Sequence, residues 1–130
     1  MTNFFPKPPV VLLEPDYFWR EILSRHLEER GLLVYKFDQG WRAARFLHIN
    51  RPKIFVTEII LPDAPGEFFI RDLRSSPRLS GLQILVVTAD SSRNSLERCL
   101  SYGVNSYHQK SQSSMLQIVE AICSRVAEPS

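Results

Sequence analysis

Five short apolar runs alternate along the chain with five amphipathic segments. The run at positions 54–58 is typical of a strand buried in a parallel sheet, because its apolar residues are continuous rather than alternating with polar ones. It ends in Glu58, and an isolated carboxylate is costly to bury. We therefore expect Glu58 to lie where the strand meets water or to be paired. The five predicted strands lie at positions 10–13, 32–37, 54–58, 84–87 and 104–108.

Apolar residues at helical spacing predict a helix after each strand. The first helix is expected to run from Asp16, a candidate N-cap, to about Arg30, and Gly31 ends it. Its predicted inward residues are Trp19, Ile22, Leu23 and Leu27. The other helices are predicted at 40–49, at 67–74, at 91–102 with Leu96, Cys99 and Leu100 inward, and from 111 or 113 to 126.

This alternation predicts a doubly wound parallel α/β sheet with right-handed crossovers. For five such units we expect the strand order 2-1-3-4-5, with the switch point between the first and third strands. Ligand sites in such sheets lie at the carboxyl ends of the strands. The predicted order brings Glu14, Glu58, Thr88 and Lys110 to one edge, which makes Glu58 the candidate centre of a site.

The chain of 130 residues, with 44% hydrophobic and 23% charged residues, fits one soluble domain. We predict a loose arm at 1–8, the domain at 9–126 and a short tail at 127–130. No run is long enough to cross a bilayer, and the N-terminus lacks the features of a secretory signal. We therefore expect a cytoplasmic protein without a membrane partner.

The charge and the metal-binding residue types exclude several functions. A net charge of +2 and basic residues that are not clustered in the sequence argue against direct binding of nucleic acid. Cys99 and Cys123 fall at apolar helical positions, which indicates reduced core thiols. The three histidines lack metal-ligand spacing.

Several motifs occur in an order that covers most of the chain. They are Gly40 with Ala43, Leu61-Pro-Asp63 followed by Gly66, Val87-Thr-Ala89, and Gly103 followed by Tyr107 and Lys110. With the element lengths, these motifs make residues 9–126 resemble the response-regulator receiver domain of two-component signalling. The resemblance implies a CheY-like, flavodoxin-like fold.

The resemblance also implies roles for individual residues. In the family, an acidic pair after the first strand holds Mg²⁺, and an aspartate after the third strand accepts a phosphoryl group. A Thr or Ser and a Lys contact the phosphoryl oxygens, and an aromatic residue on the fifth strand changes rotamer. By resemblance, Thr88 is the hydroxyl, Lys110 the lysine and Tyr107 the aromatic switch.

Two departures from the family set this chain apart. Glu58 replaces the acceptor aspartate, and its extra methylene moves the carboxylate by about 1.5 Å. A misplacement of a reacting group by about 1 Å can slow a reaction on the order of a hundredfold. The acidic pair has become Glu14-Pro15, and proline offers no side-chain oxygen to a metal. Asp16, which aligns outside the pair, is only a candidate substitute ligand. We therefore expect Mg²⁺ binding to be lost or weak, and no other cofactor.

Two interpretations of Glu58 stay open at this point. Glu58 either imitates the phosphorylated state and biases Thr88 and Tyr107, or it forms a salt bridge with Lys110 in a disused pocket.

The leading functional hypothesis is an atypical receiver without catalysis that binds other proteins independently of phosphorylation. Its expected partner is a histidine kinase or a downstream effector, bound through the face of the fourth helix, fifth strand and fifth helix. We also expect a homodimer through this face, and a further contact surface at Trp41 with Phe4 and Phe5.

Two alternatives are kept. One is a working phosphoryl acceptor in which Glu58 or Asp63 receives the group while Glu14 and Asp16 hold Mg²⁺. The other is a flavodoxin-like domain for a small ligand, which the lack of a phosphate-binding loop after the first strand disfavours.

Overall fold

The computed structural model describes residues 7–127, which form a five-stranded parallel sheet with helices on both faces. The strands are β1 (Pro9–Leu13), β2 (Leu33–Phe37), β3 (Ile54–Thr57), β4 (Gln83–Thr88) and β5 (Ser106–Gln109). The helices are α1 (Tyr17–Glu29), α2 (Gly40–Asn50), α3 (Gly66–Arg74), α4 (Arg93–Ser101) and α5 (Met115–Val126), with a 3₁₀ turn at Pro77–Leu79. The order β2-β1-β3-β4-β5 confirms the predicted fold class and topology.

Alternation along the buried strands builds two cores, one on each face of the sheet. On β1, Val10 and Leu12 join a cluster with residues of α1 and α5, whereas Val11 and Leu13 join a cluster with residues of α2, α3 and α4. Continuous apolar runs are required because both faces of the central strands are covered.

Helix starts follow side-chain caps. Asp16 caps α1 as predicted, because its carboxylate accepts a hydrogen bond from the Trp19 amide at 2.9 Å. Ser92 caps α4, and Ser114 caps α5 in a reciprocal capping box with Gln117. These two caps make α4 and α5 begin later than the apolar pattern predicts.

Two predicted inward residues are exposed. Ile22 on α1 is 42% exposed and Leu100 on α4 is 53% exposed. The buried residues of α1 are Leu23, Ser24 and Leu27. The face of α1 that packs on the protein therefore includes the polar Ser24 and leaves Ile22 outside.

Several expectations concern the chain termini. The predicted arm at 1–8 and tail at 127–130 fall mostly outside the described residues, and so do Phe4 and Phe5. Trp41, their suggested neighbour, is 54% exposed. No helix within residues 7–127 has the length and hydropathy needed to span a bilayer.

The sheet register fixes the edge where the predicted site residues meet. Leu13 of β1 pairs with Thr57 of β3, so Glu14 and Glu58 follow on adjacent strands. The amide of Glu58 donates to the carbonyl of Leu13 at 2.9 Å. On the other side, the amide of Lys110 donates to the carbonyl of Thr88 at 2.8 Å, which sets the end of β5 against the end of β4.

Candidate functional site

A lysine bridges two buried carboxylates at the carboxyl edge of the sheet. The Lys110 Nζ lies 2.5 Å from Glu14 Oε1 and 3.0 Å from Glu58 Oε2. The side chain of Lys110 is only 9% exposed, and those of Glu14 and Glu58 are 5% and 4% exposed. Because these charges are shielded from water, removal of Lys110 would leave two buried carboxylates without a cation.

The carboxylate of Glu58 is held by five hydrogen-bond donors. Its Oε1 accepts from the amides of Ile59 and Ile60, at 2.8 and 3.1 Å, and from the hydroxyl of Thr88. Its Oε2 accepts from the Ala89 amide at 3.1 Å and from Lys110. The carboxylate therefore has a fixed position between the ends of β3, β4 and β5.

Glu14 is the second anchor of Lys110. Its amide donates to the Phe37 carbonyl of β2, and its Oε2 accepts from the Asp16 amide at 3.0 Å. Burial raises the pKa of the Glu14 carboxyl above its ordinary value. Hydrogen bonds from Lys110 and the Asp16 amide lower this pKa in part, and the negative charge of Glu58 raises it slightly. Burial therefore makes the Glu14 carboxyl protonate more readily than that of an exposed glutamate.

The other acidic-pocket residues point elsewhere. Pro15 contributes a backbone carbonyl, which accepts from Arg20 at 3.2 Å. Asp16 is exposed and its carboxylate caps α1, so it does not join Glu14 and Glu58.

Trp19 is a site residue whose role the sequence pattern did not reveal. The Lys110 Nζ lies 4.6 Å from the centre of the Trp19 ring, which is within the range of a cation–π contact. Trp19 lies in the first turn of α1, three residues after the cap, and packs against the core cluster on the α1 and α5 side of the sheet. Its helical spacing alone predicted only a core residue.

Tyr107 lies on β5 opposite Val86 of β4 and packs against the core cluster on the α2, α3 and α4 side. Its hydroxyl is buried and has no hydrogen-bond partner among the described residues. Burial is the main reason why the pKa of this phenol lies well above its ordinary value. The ring is therefore directed into the protein.

Asp63, the other suggested phosphoryl acceptor, lies in the segment between β3 and α3 and contacts the start of α2. Its two carboxylate oxygens accept hydrogen bonds from the amides of Gly40 and Trp41 at 3.0 and 3.1 Å. Asp63 therefore caps α2 from a distant part of the sequence, and within residues 7–127 its carboxylate contacts neither Lys110 nor Thr88.

Comparison with known proteins establishes the family of the chain. The family described as the response regulator receiver domain matches residues 10–122. The chain belongs to this family. The receiver is 24% identical over 103 residues to a two-component response regulator, ORR3, of Oryza sativa, covering 78% of this chain and 79% of that protein. It is 29% identical over 99 residues to the chemotaxis protein CheY of Pseudomonas aeruginosa, covering 75% of this chain and 80% of that protein.

Among solved structures, the receiver is similar to the receiver domain of the sensor histidine kinase PA1611 from Pseudomonas aeruginosa. The TM-score is 0.82 with 20% identity, over 94% of this chain and 99% of that chain. At this identity the likeness concerns the fold. That structure has a magnesium ion coordinated in its active-site cleft.

The side chains of this receiver do not fit such a magnesium site. Mg²⁺ requires near-octahedral oxygen ligation, but the ammonium of Lys110 lies between the two carboxylates that would supply the oxygens. Pro15 lacks a side-chain oxygen, and Asp16 caps a helix. Among residues 7–127, no group of three or more His, Cys, Asp or Glu side chains is arranged to hold a metal.

Proposed function

We propose that this receiver is a cytoplasmic, non-catalytic interaction module of two-component signalling that works without being phosphorylated. The observation that carries the proposal is the set of donors on the Glu58 carboxylate. Thr88 and Lys110, which the family uses on the oxygens of a phosphoryl group, both bind Glu58 itself, and the Ala89 amide joins them.

These contacts favour mimicry of the phosphorylated state over a salt bridge in a disused pocket. A salt bridge requires only Lys110, whereas here the Thr88 hydroxyl is also drawn to Glu58. Tyr107, the candidate switch, has its hydroxyl buried. The mimic is incomplete, because a carboxylate has one negative charge and two oxygens, against nearly two charges and three oxygens on a phosphoryl group.

Three features argue against a working phosphoryl acceptor. The oxygens of Glu58 are already bound by five donors, and those of Asp63 cap α2. The Lys110 ammonium lies between the Glu14 and Glu58 carboxylates, which a metal would have to bind. We therefore also propose that Mg²⁺ binding is lost or weak.

The proposed partner is a histidine kinase or a downstream effector, bound at the face of α4, β5 and α5. Tyr107 links this face to the pocket, because β5 carries Tyr107 and is followed directly by Lys110. A homodimer through the same face is part of the proposal. A partner that prefers one conformer would shift the receiver toward that conformer.

Phosphorylation is tested by intact-mass measurement after incubation with Mg²⁺ and acetyl phosphate. We expect no phosphoryl adduct on the wild type. The double variant Pro15→Asp, Glu58→Asp, which restores the acidic pair and the shorter acceptor, should gain one phosphoryl group. A stable adduct on the wild type that disappears in Glu58→Gln would show that the receiver still accepts phosphoryl groups.

Mimicry is tested by amide NMR spectra of two matched variants. Glu58→Gln and Glu14→Gln each neutralise one carboxylate that contacts Lys110, but only Glu58 also binds Thr88. Under mimicry, Glu58→Gln shifts amide signals of α4, β5 and α5, and Glu14→Gln leaves most of them in place. Equal, local changes in both variants would support the salt-bridge interpretation.

A further inference from the structure

A second cleft lies at the amino-terminal edge of the sheet, opposite the edge that carries Glu58. It has a volume of about 820 Å³ and is formed by the starts of β1, β3 and β4, the end of α2, the 3₁₀ turn and the end of α5. Volumes of this size are usual for small-molecule sites. The sequence motifs of the receiver family assign no role to this edge.

The fold concentrates positive charge in this cleft. Arg51, Lys53, Arg78 and Arg125 line it, and no Asp or Glu is among its lining residues within the described chain. The basic residues are dispersed in the sequence, but the fold brings them to one edge, where the parallel strands begin.

Three of these cations have no ion-pair partner in the described part of the chain. None of the ion pairs within residues 7–127 involves Arg51, Lys53 or Arg78. Arg125 differs, because its guanidinium donates to the Asn105 carbonyl at 2.9 Å. Like charges that share a cleft repel each other, so the arrangement favours an anion that lies among them.

The backbone at the rim of the cleft is strained. Arg51 ends α2 with φ of 45°, in the left-handed region that glycine usually occupies at a helix end. Strained backbone that holds a polar residue is concentrated at binding sites. Here the strain places a cationic residue, rather than a glycine, beside Lys53.

The remaining walls indicate what the anion carries. Tyr35 and Phe46 line one side and form an aromatic pair with ring centres 4.6 Å apart. Gln83 lies at the start of β4, next to Lys53, whose carbonyl accepts from the Gln83 amide at 2.8 Å. The buried Oε1 of Gln83 has no donor among the described residues. A fitting ligand has negative charge, a flat apolar surface and a hydrogen-bond donor.

We propose that this cleft binds a nucleotide. The phosphate groups would lie among Arg51, Lys53 and Arg78, the base would pack on the aromatic pair, and a hydroxyl or amino group would donate to Gln83. A nucleotide supplies all three properties in one molecule of suitable size. The proposal does not depend on the function proposed for Glu58, because the two sites lie at opposite edges of the sheet.

The test is a titration of the full chain with a fluorescent N-methylanthraniloyl derivative of ADP, followed by anisotropy. Unlabelled ADP, adenosine and inorganic pyrophosphate then compete for the bound probe. Lys53→Glu and Arg78→Glu are the test variants. Arg25→Glu is the matched control, because Arg25 is exposed on α1, outside the cleft, and undergoes the same change of charge. Circular dichroism melting establishes that each variant is folded.

We expect saturable binding that ADP displaces at least about tenfold better than adenosine or pyrophosphate. Each test variant should weaken binding by about tenfold or more, and the control by less than about twofold. Amide NMR signals of residues 51–53 and 83 should shift on addition of ADP. No saturation, equal competition by pyrophosphate, or unchanged binding in both folded test variants would overturn the proposal.

Discussion

Replacing Lys110 with methionine should strongly destabilise the receiver, because it removes the only side-chain cation bound to Glu14 and Glu58 in the described chain. Methionine keeps the unbranched shape that packs over Trp19 but has no charge. Breaking a buried ion pair by removing one partner costs about 3–5 kcal/mol. For a domain of this size, that loss corresponds to a decrease in Tm of about 10–20 °C.

The assay is urea denaturation followed by circular dichroism. Lys36→Met is the matched control, because Lys36 pairs with Glu21 at 3.1 Å while both side chains are about one third exposed, at 36% and 33%. A surface pair of this kind contributes about 0–1 kcal/mol. If Lys110→Met costs no more than Lys36→Met, the Lys110 ammonium does not hold two buried carboxylates together.

The pH dependence of the Lys110→Met deficit is a second part of this prediction. Lys110 opposes the upward effect of burial on the pKa of Glu14, so the variant should raise that pKa further. A carboxyl with a raised pKa contributes stability that is present below its unfolded pKa and lost as the pH rises through its folded pKa. The deficit should therefore be smaller near pH 4.5 than at pH 7.5. An equal deficit at both pH values would contradict this explanation.

Three further predictions concern single residues. Burial raises the pKa of Glu14 above 4.5, so the wild type should lose stability relative to Glu14→Gln as the pH rises above 4.5. Urea titrations at several pH values measure this difference in unfolding free energy, and an increase with pH would contradict the prediction. Asp63→Ala should cost about 1–2 kcal/mol in urea denaturation, because two amides at the start of α2 lose their acceptor, whereas the exposed Asp72→Ala on α3 should cost less than about 0.5 kcal/mol. Gly66→Ala should cost about 3 kcal/mol or more, since a Cβ there would lie 2.3 Å from the Ile59 Cα. Gly81→Ala is the control, because a Cβ at Gly81 meets no atom within 4 Å, and similar Tm values for the two variants would refute this prediction.

The sheet could be predicted because its central strands are buried on both faces. The residues of β3 are all buried, so the strand has a continuous apolar run that a half-exposed strand would lack. The starts of α4 and α5 differ from the prediction, since Ser92 and Ser114 act as caps inside segments predicted as helical. The exposure of Ile22 and Leu100 depends on how narrow a stripe of each helix packs on the sheet, which periodicity does not define.

The meeting of Glu14, Glu58, Thr88 and Lys110 follows from topology, because parallel strands end at the same edge. Their functional roles stay predictions. The contact of Trp19 with Lys110 depends on the angle at which α1 leaves β1. The capping of α2 by Asp63 joins groups 22 and 23 residues apart through a loop conformation, so neither contact has a local sequence signal.

The charge of Glu58 is part of the polypeptide, and five donors hold it in place. A phosphoryl group is removed by hydrolysis, so the active state that it produces has a limited lifetime. If Glu58 acts as proposed, no hydrolysis ends the active state, which then persists for as long as the protein molecule itself. The strength of the output is then governed by how fast the chain is synthesised and degraded, and by how many partner molecules compete for it.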